Sequence, residues 1–597
     1  MVKEQIKLSD YVANYIYEKN IKTVFAISGG ASLHLIHSIT DHPQLNCVCT
    51  HHEQAAAIAA DGYSRTIGGP AVAITTSGPG ATNAITGICC SYYDSVPLIM
   101  ITGQVSTFRM TGATGVRQIG FQETPIVDIV KPIVKYSFQI KDPYEIRYQL
   151  NKAFDIATSG RPGPVLIDIP DNLQRELLNL EKLNNYKAYN KKEKVFSIKE
   201  SVFKKLFNHI RAAQRPIIIA GWGVHLSNTK DEFISFAESL NIPVALTWGA
   251  SDILPSSHPL NVGTFGTHGK RYSNFAVQNS DLIISLGSRL DTKSTGSPVK
   301  TFAREAKKIV LDIDINELSK FSNFDLNIDQ LIHSDLQEFF RGIITYKENL
   351  SDLFCDYSEW KNHIKNWKNE FNDFDKIENM EDGLNPSIFI KDLSLHSSAN
   401  TKLFIDTGCS IAWMMQKFEV KKSQRLFHDF NNTAMGWALP ASIGSYFADN
   451  KSNIISIIGD GSFMMSIQEL ATIKHHKIPL KIFIINNNGY SMIKQTQEQW
   501  LDAKYYASSF EGGISFPDYC SIAKAFNLDY FEINKSTNCS QEIFKIINSE
   551  KAALCNVIIS SSARVVPQVK FGKPNEDMEP LLPRDVFLKN MIVKPQE

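Results

Sequence analysis

Asn453 to Tyr490 reads NIISIIGDGSFMMSIQELATIKHHKIPLKIFIINNNGY, and this stretch decides the fold. An apolar run, Ile454 to Ile458, ends in Gly459-Asp460-Gly461. A helix-like segment follows, and a second apolar run, Ile482 to Ile485, ends in Asn486-Asn487-Asn488. The pattern predicts a strand, a crossover and a second strand, with polar residues gathered at the two strand ends. In a parallel sheet those carboxyl ends are where ligands bind. Asp460 and Asn487 offer a carboxylate and an amide oxygen, hard donors suited to Mg²⁺ that leave octahedral positions for a diphosphate and water. The glycines let the backbone approach phosphates closely. The plain alternative for GDG is a tight turn after a buried strand.

The same rhythm extends in both directions. Short apolar runs at Val24 to Ile27, Cys47 to Cys49, Ala71 to Thr76, Leu98 to Thr102 and Val165 to Ile169 predict a parallel α/β sheet in a first domain, about residues 1 to 185. Pro216 to Ala220, Pro243 to Thr247, Asp281 to Leu286 and Ile309 to Ile313 predict another over about 195 to 345. Leu403 to Ile405 and Val557 to Ser560 join the opening stretch in a third, about 380 to 560. A polar linker, LEKLNNYKAYNKKEKV, separates the first two domains, and 351 to 385 reads as a surface helix leading into the third. A chain of 597 residues has room for three such cores.

Composition narrows the function classes. Lys plus Arg and Asp plus Glu number 62 each, so no net field draws the chain to nucleic acid or an anionic membrane. The nine cysteines show no paired zinc spacing and read as reduced, cytosolic thiols. MVKEQIKLSDYVANYIYEKN has an amphipathic helix pattern rather than a leader pattern, and no apolar run is long enough to span a bilayer. A cytoplasmic protein is the expectation.

GDG followed by NN resembles the diphosphate-binding motif of thiamine-diphosphate enzymes. Two first-domain stretches agree with that resemblance: Thr50-His51-His52-Glu53-Gln54 before the small-residue helix AAAIAADGYSR, and Ser77-Gly78-Pro79-Gly80-Ala81-Thr82-Asn83. Read alone, Glu53 could simply complement a helix macrodipole, and His51 and His52 read as hydrogen-bonded structure. The resemblance gives Glu53 a job: bonding the aminopyrimidine N1′ so that the cofactor acts as its own base. It also implies cofactor contacts at Gly30, Ser77, Asn83, Gly408, Gly459, Gly461 and Ser462, with Mg²⁺ held by Asp460, Asn487 and the Gly489 carbonyl.

Further matches narrow the family. Gly103-Gln104-Val105, Gly120-Phe121-Gln122-Glu123-Thr124 and ATSGRPGPVLIDIP (Ala157 to Pro170) are similar to acetohydroxyacid (acetolactate) synthases, in which the Phe and Gln line the adjacent subunit's pocket. Ala434-Met435-Gly436-Trp437-Ala438-Leu439-Pro440 matches that family's AMGxxLP pattern. There the Met wedges between the cofactor's rings, whereas read alone Met435 is core filling. Met492 and Ile493 resemble the pocket wall. AVQNSDLIISLGSRLDTKSTG (Ala276 to Gly296) resembles the flavin-domain segment, with Arg289 and Asp291 in place; bound FAD and a flavin-free spacer both stay open. Four departures stand out. Asp171-Asn172 replace Lys-Asp, Cys409-Ser410-Ile411 replace Gln-His-Gln, Lys293 replaces an arginine, and Thr496 replaces a tryptophan that favours 2-ketobutyrate.

The resemblance implies three doubly wound parallel-sheet domains: pyrimidine-binding, central and diphosphate-binding. It implies a homodimer or homotetramer that decarboxylates pyruvate or a related 2-oxo acid and transfers the two-carbon acyl unit to a carbonyl acceptor. The departures keep two alternatives open, a carboligase for an unusual acceptor such as a keto-sugar nucleotide and a simple 2-oxo-acid decarboxylase. Residues 561 to 597 read as a lid over the site or a terminal strap.

Overall fold

The computed structural model describes residues 5–186, 198–345, 356–372, 380 and 382–596. Part of the polar linker and much of 351 to 385 lie outside the described residues.

Eighteen strands form three parallel sheets of six. Counted along the chain within each domain, the first sheet has order 2-1-3-4-6-5, with Thr23–Ala26, Asn46–Cys49, Ala71–Thr75, Leu98–Gln104, Tyr136–Gln139 and Val165–Pro170. The third repeats this order with Thr401–Ile405, Arg425–Phe427, Asn453–Gly459, Lys481–Asn486, Asp529–Ile533 and Ala553–Ile558. The central sheet, Pro216–Ala220, Val244–Leu246, Asn261–Thr264, Leu282–Leu286, Lys307–Asp312 and Gln330–His333, is ordered 3-2-1-4-5-6, the doubly wound arrangement of dinucleotide-binding folds.

The inner strands are mainly apolar because both their faces are covered. In the first domain, Val24, Val72, Ile74, Ile99 and Ile101 enter one core, while the alternating Phe25, Ala71, Ala73, Leu98 and Met100 enter another on the opposite face. Leu403, Ile455 and Phe483 divide from Phe404, Ile454 and Ile482 in the same way in the third.

The first and third domains share a core. Helix Glu53–Ile67 crosses helix Ala438–Ala448 so closely that a Cβ on Gly444 would lie 1.8 Å from the Ala59 carbonyl oxygen, and one on Gly62 2.2 Å from that of Ala441. A fully buried guanidinium, Arg65, closes the contact by donating to Asp61 at 2.7 Å and Asp94 at 2.9 Å. Trp437 Nε1 donates to Asp61, and the backbone amides of Phe430 and Asn431 donate to Asp94.

Helix Ser358–Phe371 corrects the expectation of a surface helix. Its Trp360, Ile364, Trp367 and Phe371 are buried in the central core, because apolar residues at helical spacing lie among the charges that mark its outer face. The tail is clamped on the central domain. Arg271 donates to the carbonyls of Met578 and Pro580, Gln278 donates to the buried Glu576, and Phe587 of helix Arg584–Asn590 enters the core. Among the described residues, no helix is long and apolar enough to cross a membrane.

Candidate active site

The carboxyl ends of the third sheet carry the first half of the site. Strand Asn453–Gly459 delivers Asp460 into a buried turn, where its carboxylate accepts backbone N–H groups of Gly461 at 2.7 Å and of Asn487 and Gly489 at 3.1 Å. Burial nevertheless pushes the acid up to about 6. Beside it, Asn487 Oδ1 is buried without a hydrogen-bond partner, whereas Asn486 is tied to Asn556. Buried amide oxygens are almost always satisfied, so an orphan next to a buried carboxylate marks a place for a cation. Among the described residues no group of three His, Cys, Asp or Glu side chains is placed to hold a metal ion. An ion here would therefore take amide and main-chain oxygens in addition to Asp460. Gly461 has no room for a side chain, since a Cβ would meet the Tyr490 ring at 2.1 Å.

Asp406 organises the neighbouring loop. Fully buried and pushed up to about 6 by desolvation, it accepts the amides of Gly436 at 3.2 Å and Ala438 at 2.9 Å, which fixes the turn carrying the half-buried Met435. Gly408, at φ 83°, opens helix Cys409–Lys417 with free space above its Cα, and Ser410 is the nearest side chain to Gly459. Burial drives the Cys409 thiol up to about 12, so it packs as a neutral group. In helix Ser491–Trp500, Met492 is half-buried, Ile493 is exposed, and the Thr496 hydroxyl donates to the Met492 carbonyl at 3.0 Å.

The first domain carries the second half. Glu53 starts helix Glu53–Ile67, and its carboxylate accepts Asn83 Nδ2 at 3.0 Å. The Ser77 to Asn83 turn closes around it: a Cβ on Gly80 would contact Glu53, and one on Gly78 would press on Gln122 at 2.9 Å. Gly30 lies in the adjoining loop, where the Ala31 amide donates to Thr76. Gln122 adopts φ 63°, and the neighbouring Phe121 is 85% exposed. His52 is structural, its Nδ1 capping the helix by accepting the Gln54 amide. The exposed His51 gives its amide to Glu469 of the third domain. Asp171 accepts the Ser106 hydroxyl and Asn172 bonds Thr107, so the pair that departs from the family pattern is held by hydrogen bonds inside its own domain.

A third feature is a cavity of about 350 Å³ between the central domain and its neighbours. Arg289, Asp291, Arg161, Gly223 and Trp248 line it. Arg289 donates to Glu317 at 2.9 Å and Asp291 caps the short helix Thr292–Thr295. Gly221 and Gly223 lie against Gly287 with no space for a Cβ, which brings two loop backbones to one wall.

Three contributors escape a reading of the sequence. Asp406 and Glu469 act on loops far away along the chain, and Glu123 folds its own loop by accepting the amides of Thr111, Ile119 and Gly120. Lys494 is also new. Buried one turn into the helix after the asparagines, its ammonium has the Asn488 carbonyl at 3.4 Å and no carboxylate in ion-pair contact among the described residues. A lysine three residues beyond Ser491 at a helix start was its only signal.

Two sheets that present loops at their carboxyl ends, one with an acidic turn and an unsatisfied amide and the other with a helix-opening glutamate, define a class. The chain matches the thiamine pyrophosphate enzyme N-terminal TPP binding domain over residues 6–128, the central domain over 203–340 and the C-terminal TPP binding domain over 406–557, and it belongs to the thiamine pyrophosphate enzymes. Similarity runs nearly end to end with the acetolactate synthase large subunit of Lactococcus lactis, 31% identical over 96% of this chain and 95% of that protein. The probable acetolactate synthase large subunit of Methanocaldococcus jannaschii is 33% identical over 95% and 94%. The chloroplastic acetolactate synthase of Arabidopsis thaliana is 31% identical over 96% and 84%. Within its class the chain belongs to the acetolactate synthase family.

Proposed function

We propose that this protein is a thiamine-diphosphate- and Mg²⁺-dependent carboligase that decarboxylates pyruvate or a related 2-oxo acid and joins the two-carbon unit to a carbonyl acceptor. The observation that carries the reading is the orphaned Asn487 oxygen beside buried Asp460, a donor set that fits a divalent ion with the Gly489 carbonyl. When bound, thiamine diphosphate supplies the acidic thiazolium carbon and the electron sink for decarboxylation.

The chain's own residues have distinct tasks. Gly408, Gly459, Gly461 and Ser462 let a diphosphate approach the backbone, with Gly30, Ser77 and Asn83 contributing from the first domain. Glu53 holds a proton at the pyrimidine ring nitrogen, and Asn83 fixes its carboxylate for that purpose. Met435 would pack against the bound cofactor, while Met492, Phe121 and Gln122 would bound the reaction space and exclude water. The polar and glycine-lined central cavity, with Arg289 and Asp291 on its wall, fits FAD. Phe108, Val116, Ile119 and Phe121 are more than half exposed on the loop beside Glu53, which supports a homodimer or homotetramer completed by a partner copy at this face. The described cysteines are all unpaired, in keeping with a cytoplasmic location.

Lys494 favours a second reading at the acceptor step. A buried ammonium with no carboxylate in ion-pair contact among the described residues attracts an acceptor with an anionic group, and Thr496 leaves space for a large one. A 2-oxo acid and a nucleotide-linked keto sugar both meet that charge. CO₂ release and product mass from pyruvate, with and without added acceptor, separate the two: acetolactate from pyruvate alone supports the synthase reading, and turnover only with an added carbonyl supports the specialised ligase. Glu53→Gln should bind cofactor normally yet lose at least about a hundredfold in turnover. Full turnover in that variant would overturn the assignment.

A further inference from the structure

Residues 564 to 567 follow the last strand of the third sheet and are held by side chains from the two helices that open at the cofactor-facing loops. From helix Cys409–Lys417, which starts at Gly408, Trp413 Nε1 donates to the Arg564 carbonyl at 3.1 Å and Gln416 Nε2 to the Pro567 carbonyl at 2.7 Å. From helix Ser491–Trp500, Gln495 takes both backbone groups of Val565. Its Nε2 donates to the carbonyl at 3.0 Å, and its Oε1 accepts the amide at 3.0 Å. Arg564 Nε donates to both carboxylate oxygens of Glu498 at 3.0 Å, a second tie to the same helix. Trp413, Gln416, Gln495 and Val565 are all buried.

A side-chain amide carries a donor and an acceptor, and here both are spent on one residue. Such a pair fixes the rotation of the helix as well as its distance from the tail. Gln495 lies three residues beyond Met492 and next to Thr496, so the face it locks adjoins the one that bounds the reaction space. Because a helix turns about 100° per residue, a small rotation about its axis would carry Met492 and Thr496 across the site. The tail is itself anchored further on, where Val569 donates to the Thr267 carbonyl and Arg271 holds the carbonyls of Met578 and Pro580.

We infer that Gln495 is a positioning residue for the acceptor step: through the main chain of Val565 it sets the rotation of helix Ser491–Trp500, and with it the shape that Met492 and Thr496 present to the acceptor. The start of the tail is accordingly a fixed strap. This inference rests on the carboligase reading above.

The test uses the full chain loaded with thiamine diphosphate, Mg²⁺ and FAD, with 2-ketobutyrate added to pyruvate so that two acceptors compete in one sample. Mass spectrometry reads the ratio of the two condensation products, which does not depend on the fraction of protein that is folded. Gln495→Met should change that ratio by at least about threefold. Arg564→Ala, which leaves the Val565 pair in place, should shift it in the same direction by less, and decides the matter if Gln495→Met does not fold. Hydrogen exchange gives a readout without turnover: amides of Ser491–Trp500 should exchange at least about tenfold faster in Gln495→Met, while those of Glu53–Ile67 keep their wild-type rates. A wild-type ratio in both variants would overturn the inference and leave the carboligase reading standing, as would unchanged exchange. A wild-type protein that condenses neither acceptor would instead overturn the synthase reading, and exchange alone would then decide whether Gln495 holds the helix.

Discussion

Asp460 and Asn487 show how a single residue pair can carry a functional reading. Each was visible in the sequence as a polar residue at the end of an apolar run, and the fold brings them together because their strands are neighbours in a parallel sheet. Asn487→Ala should weaken Mg²⁺-dependent thiamine diphosphate binding by about tenfold or more and leave the melting temperature of the free protein unchanged or raised, since the orphaned oxygen costs stability when nothing pairs with it. Calorimetry with and without Mg²⁺ reads the first effect and thermal melting the second. Lys494→Met should raise the KM for an anionic acceptor several-fold with little effect on that for an uncharged one. Glu469 gives a pH signature. Burial pushes its carboxyl up to about 7, above the ordinary value of about 4.3, so its favourable contribution is complete below about pH 4 and is lost as pH rises through 7. Glu469→Gln does not titrate and keeps an oxygen for the His51 amide. Its stability relative to wild type should therefore increase by up to roughly 3 kcal/mol between pH 4 and 8, measured by denaturant unfolding across that range. Lys494, Asp406 and Glu469 were not legible beforehand because their roles depend on what lies across space from them, whereas the glycine and asparagine turns carry their meaning in local order.

At the scale of elements, the inner strands and the edge strand Asn46–Cys49 were legible as apolar runs, and the other five edges were not. Tyr136–Gln139, Asn261–Thr264, Gln330–His333, Arg425–Phe427 and Asp529–Ile533 were not predicted, and every one lies at the edge of its sheet. An edge strand keeps one side open to solvent and so carries polar residues, which removes the continuous apolar run that marks a covered strand. The last strand was placed at Val557 to Ser560, whereas the ladder begins at Ala553, where Ala and Cys blur the apolar signal. The crossing of helices Glu53–Ile67 and Ala438–Ala448 was equally silent, since Gly62 and Gly444 look like weak helix formers until their partners are known. Gly444→Ala should lower stability by about 2 kcal/mol or more, because the added methyl meets a backbone carbonyl that cannot turn aside. Denaturant unfolding of the variant measures it, and Ser442→Ala, also buried on that helix but removing an atom rather than adding one, should cost less.

For the whole molecule, the exposed apolar loop around Phe121 sets the expected assembly. Phe121→Glu should shift the protein toward monomer in sedimentation experiments and reduce activity in proportion, leaving the unfolding transition of the monomer close to that of wild type. The backbone contact between the first and third domains also limits how the molecule can move. Two domains whose main chains touch, with a buried Arg65 ion cluster sealing the seam, turn as one rigid body, because sliding either helix would drive carbonyl into methylene. Within one chain, therefore, the first and third domains do not open against each other as a hinge.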